Sequence, residues 1–296
     1  MEKIGFIGVG MMGGGIARRM IEHGVPVLAY DRDPNALQDM LRHGADVASS
    51  VREVVDQTEI VFACLPTADV SRTVALGPGG VAGGTKVKIY IETSTLGSAV
   101  AAELADALEP HGIIMLDSPV VGGTVAVGQG TLGVLTAGPK EAFERAKFAL
   151  ESFAGRLFYL GAKAGMGQSG KVVNNSVAYA AFLATCEAVA LGMKAGLDME
   201  TAIAIINQGS GANFFSERVF PNFMMKGIYD GTGAIEIGAK DVKYFLDEAQ
   251  RLEVEVPMAR EVSKLQHRIL QAGPPGRDTM TTFHFFADLA GLAREE

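Results

Sequence analysis

From Lys3 to Leu160 short, β-branched apolar runs alternate with stretches whose apolar residues recur at helical spacing. That alternation predicts a mostly parallel sheet covered by helices on both faces. The predicted strands are Ile4–Val9, Val27–Asp31, Ile60–Leu65, Val87–Glu92, Ile113–Asp117, Leu132–Ala137 and Leu157–Leu160. The polar residues between them carry helix-start chemistry. Asp33 precedes Pro34 as an N-cap before a first-position proline, and Ser50 with Glu53 has the spacing of a capping box. After Gly161 the period changes, and long helical patterns run onward without strand alternation. A helix is expected from about Gly167 to Lys194, ended by Gly196, with Asp198 capping the next. Others fit Ala239–Leu252, Pro257–Gln271 and, after Gly273-Pro274-Pro275-Gly276, Thr279–Ala293. Two domains are therefore expected, an α/β domain over 1–162 and an all-helical domain over 163–296.

Composition narrows what such a chain does. With 48% hydrophobic and 20% charged residues it has the material for packed cores, which excludes a disordered chain. A net charge of −8 and no basic run argue against nucleic acid as a partner. The two cysteines, Cys64 and Cys186, fall in runs that read as buried strand and buried helix, so neither a disulfide framework nor a thiolate metal site is suggested. His23, His43, His111, His267 and His284 are scattered, with no metal-ligand spacing, and read as structural or surface residues. The start Met1-Glu2-Lys3-Ile4 leads directly into a strand without the basic flank of a secretory signal, so the cytoplasm is the expected compartment. Ser176 to Met193 carries one charge, Glu187, over a length close to the ~20 residues that span a bilayer. Its alanine content, its charge and the polar residues before it favour a helix buried between domains or subunits, with no membrane partner.

The first strand runs into Gly8-Val9-Gly10-Met11-Met12-Gly13, which opens a helix, and that context gives the glycine pattern its chemistry. Gly8 allows the tight turn, Gly10 lets backbone approach a pyrophosphate, and Gly13 lets helix and strand pack closely while the helix N-terminus faces the anion. The second strand ends at Asp31, near the ~20-residue offset of the acid that hydrogen-bonds the adenine ribose. Strand, loop, helix and acid together predict a Rossmann domain of the doubly wound type. A carboxylate here repels a 2′-phosphate and favours NAD, while Arg32 beside it keeps NADP open. Strand ends Cys64-Leu65-Pro66-Thr67 and Glu92-Thr93-Ser94-Thr95 should border the cofactor, although ordinary helix capping also explains Thr67, Ser94 and Thr95.

The segment Gly165-Met166-Gly167-Gln168-Ser169-Gly170-Lys171 leads into Val172-Val173-Asn174-Asn175 at the mouth of the long helix. Lys171 and Asn175 are four apart and share a helix face, so amine and amide can address one ligand. Oxidising an alcohol by hydride loss also requires loss of the hydroxyl proton, which a desolvated lysine can take. Lys240, in Gly238-Ala239-Lys240-Asp241, would favour the neutral amine further if the two ammonium groups came close. By spacing alone, a lysine near a helix start is more often a solvated surface group.

With these residues in order the chain resembles the β-hydroxyacid dehydrogenase family, the group of 3-hydroxyisobutyrate dehydrogenase, tartronate semialdehyde reductase and the glyoxylate/succinic semialdehyde reductases. The resemblance runs through Gly5-Phe6-Ile7-Gly8-Val9-Gly10-Met11-Met12-Gly13, Leu65-Pro66, Ser94-Thr95, Asp117-Ser118-Pro119-Val120-Val121-Gly122-Gly123-Thr124, Gly130-Thr131-Leu132, Gly167 to Asn175 and Lys240-Asp241. It implies an oxidoreductase that transfers a hydride between NAD(P) and a 3-hydroxyacid or its semialdehyde or keto counterpart, with Lys171 as general acid/base. It further implies Asn175 and the Gly122-Gly123 backbone at the substrate carboxylate, Thr95 and Lys240 at cofactor or substrate with Asp241 nearby, and assembly as a homodimer or homotetramer.

One position departs from the pattern. The family's substrate loop usually has a serine before the two glycines, where this chain has Val121. Loss of that hydroxyl removes one hydrogen bond and makes the pocket floor drier, which suits a bulkier or less polar substrate. Phe214 and Phe215 could line such a pocket, though paired aromatics are more often plain core. Reduction of a bulkier carbonyl or an imine is the alternative enzyme reading, and a dinucleotide-binding module without turnover is the alternative from another class.

Overall fold

The computed structural model describes residues 1–292. Its first sheet is built from the apolar runs. β1 (Ile4–Ile7), β2 (Val27–Tyr30), β3 (Asp46–Val47), β4 (Ile60–Ala63), β5 (Ile89–Glu92) and β6 (Ile114–Asp117) lie in the order β3-β2-β1-β4-β5-β6. Every neighbouring pair is parallel, with Ile4 opposite both Val27 and Ile60. Helices on both faces bury both sides of the strands, which is why they read as continuous apolar runs. Phe6 stacks on Phe62 at 5.8 Å on one face, with Phe153 edge-on to Phe62. Ile7, Val61 and Tyr90 belong to a second cluster on the other. Strand order reverses between β1 and β4, and in such sheets ligands bind beyond the carboxyl ends at that reversal.

The expected single sheet is extended by a second one. β7 (Val120–Val121), β8 (Leu132–Thr136) and β9 (Ala154–Tyr159) form it, β7 antiparallel and β9 parallel to β8. The two-residue strands β3 and β7 have no alternation to read and were not expected. Several expected strands end a residue or two early, because their last residues turn out of the ladder into loops.

Helix starts follow their caps. Asp33 accepts from Asn35 N at 2.9 Å ahead of Pro34–Arg42, and Ser50 from Glu53 N at 3.2 Å ahead of Val51–Gln57. The Glu53 carboxylate reaches back to Ser49 N rather than to Ser50. Asp198 accepts from Thr201 N at 2.6 Å ahead of Met199–Gln208.

The chain divides into two compact units, Met1–Lys171 and a second beginning at Val172. The division falls inside the helix Met166–Lys194, beyond the expected boundary at 162/163. The second unit is helical, with Glu236–Arg251, Pro257–Gln271 and Thr282–Leu289 among its helices. Phe182, Cys186, Val189, Ile203, Phe220, Val242 and Phe283 form its core. Met166–Lys194 is long and apolar enough to cross a membrane by length and composition, yet Phe182, Leu183, Cys186, Val189 and Ala190 on it are core residues. The helix expected over Thr279–Ala293 is broken: Asp278 caps a turn at Thr279–Thr281, accepting from Met280 N, before the helix starts at Thr282. Its expected end, Ala293, lies outside the described residues.

Candidate active site

The glycine loop sits at the sheet's reversal point. Gly8 has φ +87°, and a Cβ there would lie 2.4 Å from Cys64 O. A Cβ on Gly13 would lie 1.9 Å from Gly8 O, so loop and helix approach closer than any side chain allows. Gly10 differs: a Cβ there meets nothing within 4 Å, so its glycine answers to something other than protein packing. Gly10 is also the N-cap of helix Met11–Glu22, with no side-chain cap and no acidic residue in the first turn. Uncapped N–H groups and the positive helix end suit an anion, and these residues fit a dinucleotide pyrophosphate. Met11 is exposed and Met12 half-buried beside them.

Asp31 is tied to this loop. One carboxylate oxygen accepts from Val9 N at 2.7 Å and the other from Asp33 N at 2.9 Å. Each oxygen keeps a further lone pair for a ribose hydroxyl. Arg32 is exposed beside it.

The two flanking strand ends are cross-linked. Leu65 N donates to Ser94 Oγ at 2.7 Å, and Ser94 Oγ donates to Glu92 Oε1. Glu92 also accepts from Ser94 N and from Tyr90 Oη at 2.9 Å. It is fully buried, and burial raises its carboxyl above the ordinary range. Thr67 does cap a helix, accepting from Val70 N, whereas the next helix, Ser98–Leu108, starts from Gly97, so neither Ser94 nor Thr95 is its cap. Pro66 is exposed and Thr95 half-buried. Burial pushes the thiol of Cys64, the residue after β4, up to about 11.

Lys171 is half-buried, and its Nζ donates to Val120 O at 2.6 Å. Val120 opens the loop that continues through Val121, Gly122 at φ +122° and Gly123 at φ +69° into helix Gly123–Gln129. The structure thus brings Lys171 to the predicted substrate loop. Gly122 is forced, since its Cβ would lie 2.5 Å from that of Ala126, while a Cβ on Gly123 meets nothing within 4 Å. Val121 pairs with Gly133 across β7 and β8, its Cγ2 lying 2.6 Å from where a Gly133 Cβ would stand.

Three residues that the motifs do not single out hold this region together. Asp117 at the end of β6 is the register partner of Glu92. Its Oδ2 accepts from Gly165 N and Gln168 N at 3.0 Å, and its Oδ1 from Gln168 Nε2 at 2.8 Å. Burial still pushes its carboxyl up to about 6. The available signal was a carboxylate ending each of two otherwise apolar strands; Gln168 gave none.

The second unit holds its own polar group. Asn175 Nδ2 donates to Asp241 Oδ2 at 2.7 Å, and Asn174 Nδ2 to Asn175 Oδ1 at 3.0 Å. Lys240 Nζ lies 3.4 Å from Asp241 Oδ1, and Asn175 and Asp241 are both buried. Burial and the Asp241 charge raise the Tyr179 phenol, whose ring fills the space a Gly238 Cβ would need. Of the paired aromatics, Phe215 stacks on Phe182 at 4.6 Å, while Phe214 is 48% exposed and edge-on to Phe215. The core reading suits Phe215 and not Phe214. The predicted site residues therefore form two groups, one in each unit.

Comparison with known proteins adds to this geometry. A family model described as the NAD binding domain of 6-phosphogluconate dehydrogenase matches residues 3–161. A second, described as the NAD-binding of NADP-dependent 3-hydroxyisobutyrate dehydrogenase, matches 165–286. L-threonate dehydrogenase of Cupriavidus necator is 30% identical over 286 residues, 96% of each chain. Mitochondrial 3-hydroxyisobutyrate dehydrogenase of Mus musculus is 30% identical over 96% of this chain and 87% of its own. The solved 3-hydroxyisobutyrate dehydrogenase of Salmonella typhimurium superposes with a TM-score of 0.88 at 28% identity, covering 96% of this chain and 100% of that one.

Proposed function

This chain belongs to the β-hydroxyacid dehydrogenase family, and from that premise we propose that Lys171 moves the proton that accompanies hydride transfer. The protein is an NAD(P)-dependent oxidoreductase acting on the CH–OH group of a hydroxyacid. The bond from Lys171 Nζ to Val120 O carries the proposal, because it fixes the amine at the mouth of the Val121-Gly122-Gly123 loop. Bound NAD(P) supplies the hydride acceptor or donor. In oxidation the neutral Lys171 amine accepts the hydroxyl proton of the substrate; in reduction the ammonium returns a proton to the carbonyl oxygen. Gly122 and Gly123 N–H groups receive the carboxylate, and within the second unit Asp241 with Lys240 orients Asn175. Asp31 at the glycine loop favours NAD over NADP through its charge.

The substrate is a hydroxyacid related to 3-hydroxyisobutyrate or L-threonate, the compounds named for its relatives, and Val121 in place of the usual serine favours the less polar kind. A panel of these two with NAD+ and NADP+ in parallel, and a cyclic imine with NADH and NADPH as contrast, assigns the chemistry. Lys171→Ala should then lower kcat by about 100-fold or more with the Kd for NAD(P) unchanged. A variant as fast as the parent removes Lys171 from the reaction.

The assembly is a homodimer or homotetramer. Val173, Val177 and Leu191 stand 57–69% exposed along one face of Met166–Lys194, and a second copy would cover them. Light scattering on the eluted protein checks this, and a monomer at micromolar concentration rejects it.

A further inference from the structure

Gln168 makes four hydrogen bonds with its side-chain amide. Nε2 donates to Asp117 Oδ1 and to Ser94 O, at 2.8 and 2.9 Å, while Oε1 accepts from Leu96 N and Gly97 N, at 2.8 and 3.2 Å. One residue thereby joins the loop after β5, the end of β6 and the first turn of helix Met166–Lys194. Asp117 completes the joint by accepting from Gly165 N and Gln168 N. The helix head comes so close to the strands that a Cβ on Gly167 would lie 2.5 Å from Leu135 O and 2.8 Å from Asp117 O. Gln168, Asp117, Ser94 and Leu96 are buried, which is an expensive place for a carboxylate. A second carboxylate, Glu92, faces Asp117 from the neighbouring strand and makes the placement harder still. An apolar pair would pack this spot without that cost. What the polar joint adds is direction, because hydrogen bonds set the distance and angle of the helix start as apolar contact cannot.

We propose that Asp117 and Gln168 are positioning residues for the proton-transfer step: they fix the head of helix Met166–Lys194 so that Lys171, one turn further, holds its amine at Val120 O. The inference rests on the role given above to Lys171. Neither residue touches substrate; both act through the register of the helix. Ser94, whose carbonyl accepts from Gln168 and whose hydroxyl accepts from Leu65 N, ties the same joint to the loop after β4.

Gln168→Met keeps the side chain's length and removes all four bonds, while Gln168→Glu keeps the acceptors and removes both donors. In the full-length protein, assayed with 3-hydroxyisobutyrate and L-threonate, Gln168→Met should lose on the order of 10²-fold in kcat. The KM for NAD(P) should hold, the pH–rate profile should shift, and Gln168→Glu should fall between variant and parent. Independently of turnover, acetic anhydride labelling of Lys171, read by peptide mass spectrometry across pH, should move towards the profile of a solvated lysine. A variant with lowered Tm but unchanged kcat, pH profile and labelling reduces the network to packing and overturns the proposal. Should Gln168→Met not fold, Asp117→Asn and Gln168→Glu carry the same readouts. Full activity in Lys171→Ala would sink the role of Lys171 alone, since the labelling still judges whether Gln168 places its amine.

Discussion

The two groups of candidate site residues hold their carboxylates by different means. In residues 1–171, Asp31, Glu92 and Asp117 each accept from main-chain N–H groups: Val9 and Asp33, Ser94, and Gly165 with Gln168. In the second unit Asp241 is held by side chains, Asn175 and Lys240. Strand ends and glycine loops leave backbone donors free to bind, whereas helix walls have spent theirs on the helix. A site at a sheet edge therefore depends on glycines and loop shape, and a site on a helix face depends on each side chain in it.

The largest test of that contrast is Gly13→Ala. Its methyl would stand 1.9 Å from Gly8 O, and the loop must move to admit it. A loss of about 3 kcal/mol or more in urea unfolding, with NAD(P) binding abolished, is expected. Tight binding by the variant would show that the loop does not depend on its glycines.

Next comes pH. The folded-state carboxyl of Asp117 is raised from 3.8 to about 6, so the protonated form suits the fold better. Its contribution is fully present below about pH 4 and is lost as pH rises through 6, a change of about 3 kcal/mol. Glu92 acts in the same direction. Asp117→Asn should flatten the difference between unfolding free energies at pH 5 and pH 8; an equal difference in parent and variant would assign the slope elsewhere.

Asn175→Ala should cost about 1–3 kcal/mol, because it strips a buried carboxylate of a donor that no main-chain group replaces. A neutral result would mean that Asp241 finds backbone donors after all, and the contrast between the units would close. The smallest effect is shared: Asp33→Ala and Asp198→Ala each remove a cap worth about 1 kcal/mol. Unequal losses in thermal unfolding would show that capping, too, differs between units.

The same contrast explains what could be read in advance. Local chemistry was legible: the glycine loop, the caps at Asp33, Ser50 and Asp198, and the helix Pro257–Gln271, which starts at its proline and ends where expected. Lys171 was legible through its motif, and the structure puts it beside the loop the motif named. Pairings between distant residues were not. Gln168 meets Asp117 from 51 positions away, and no period or spacing in the chain announces the contact. The short strands β3 and β7 exist because neighbouring strands offer them a ladder, not because two residues carry a pattern. Phe214 and Phe215 are adjacent and identical in type, and only packing decides which one faces out.

The pairing of Val121 with Gly133 bears on how this protein could change. The valine methyl already fills the volume that any side chain at 133 would claim. Gly133→Ala first gives a collision inside a two-strand ladder, whereas Val121→Ser first clears the ground for it. The two substitutions are thus epistatic, and only one order of steps avoids a damaged intermediate.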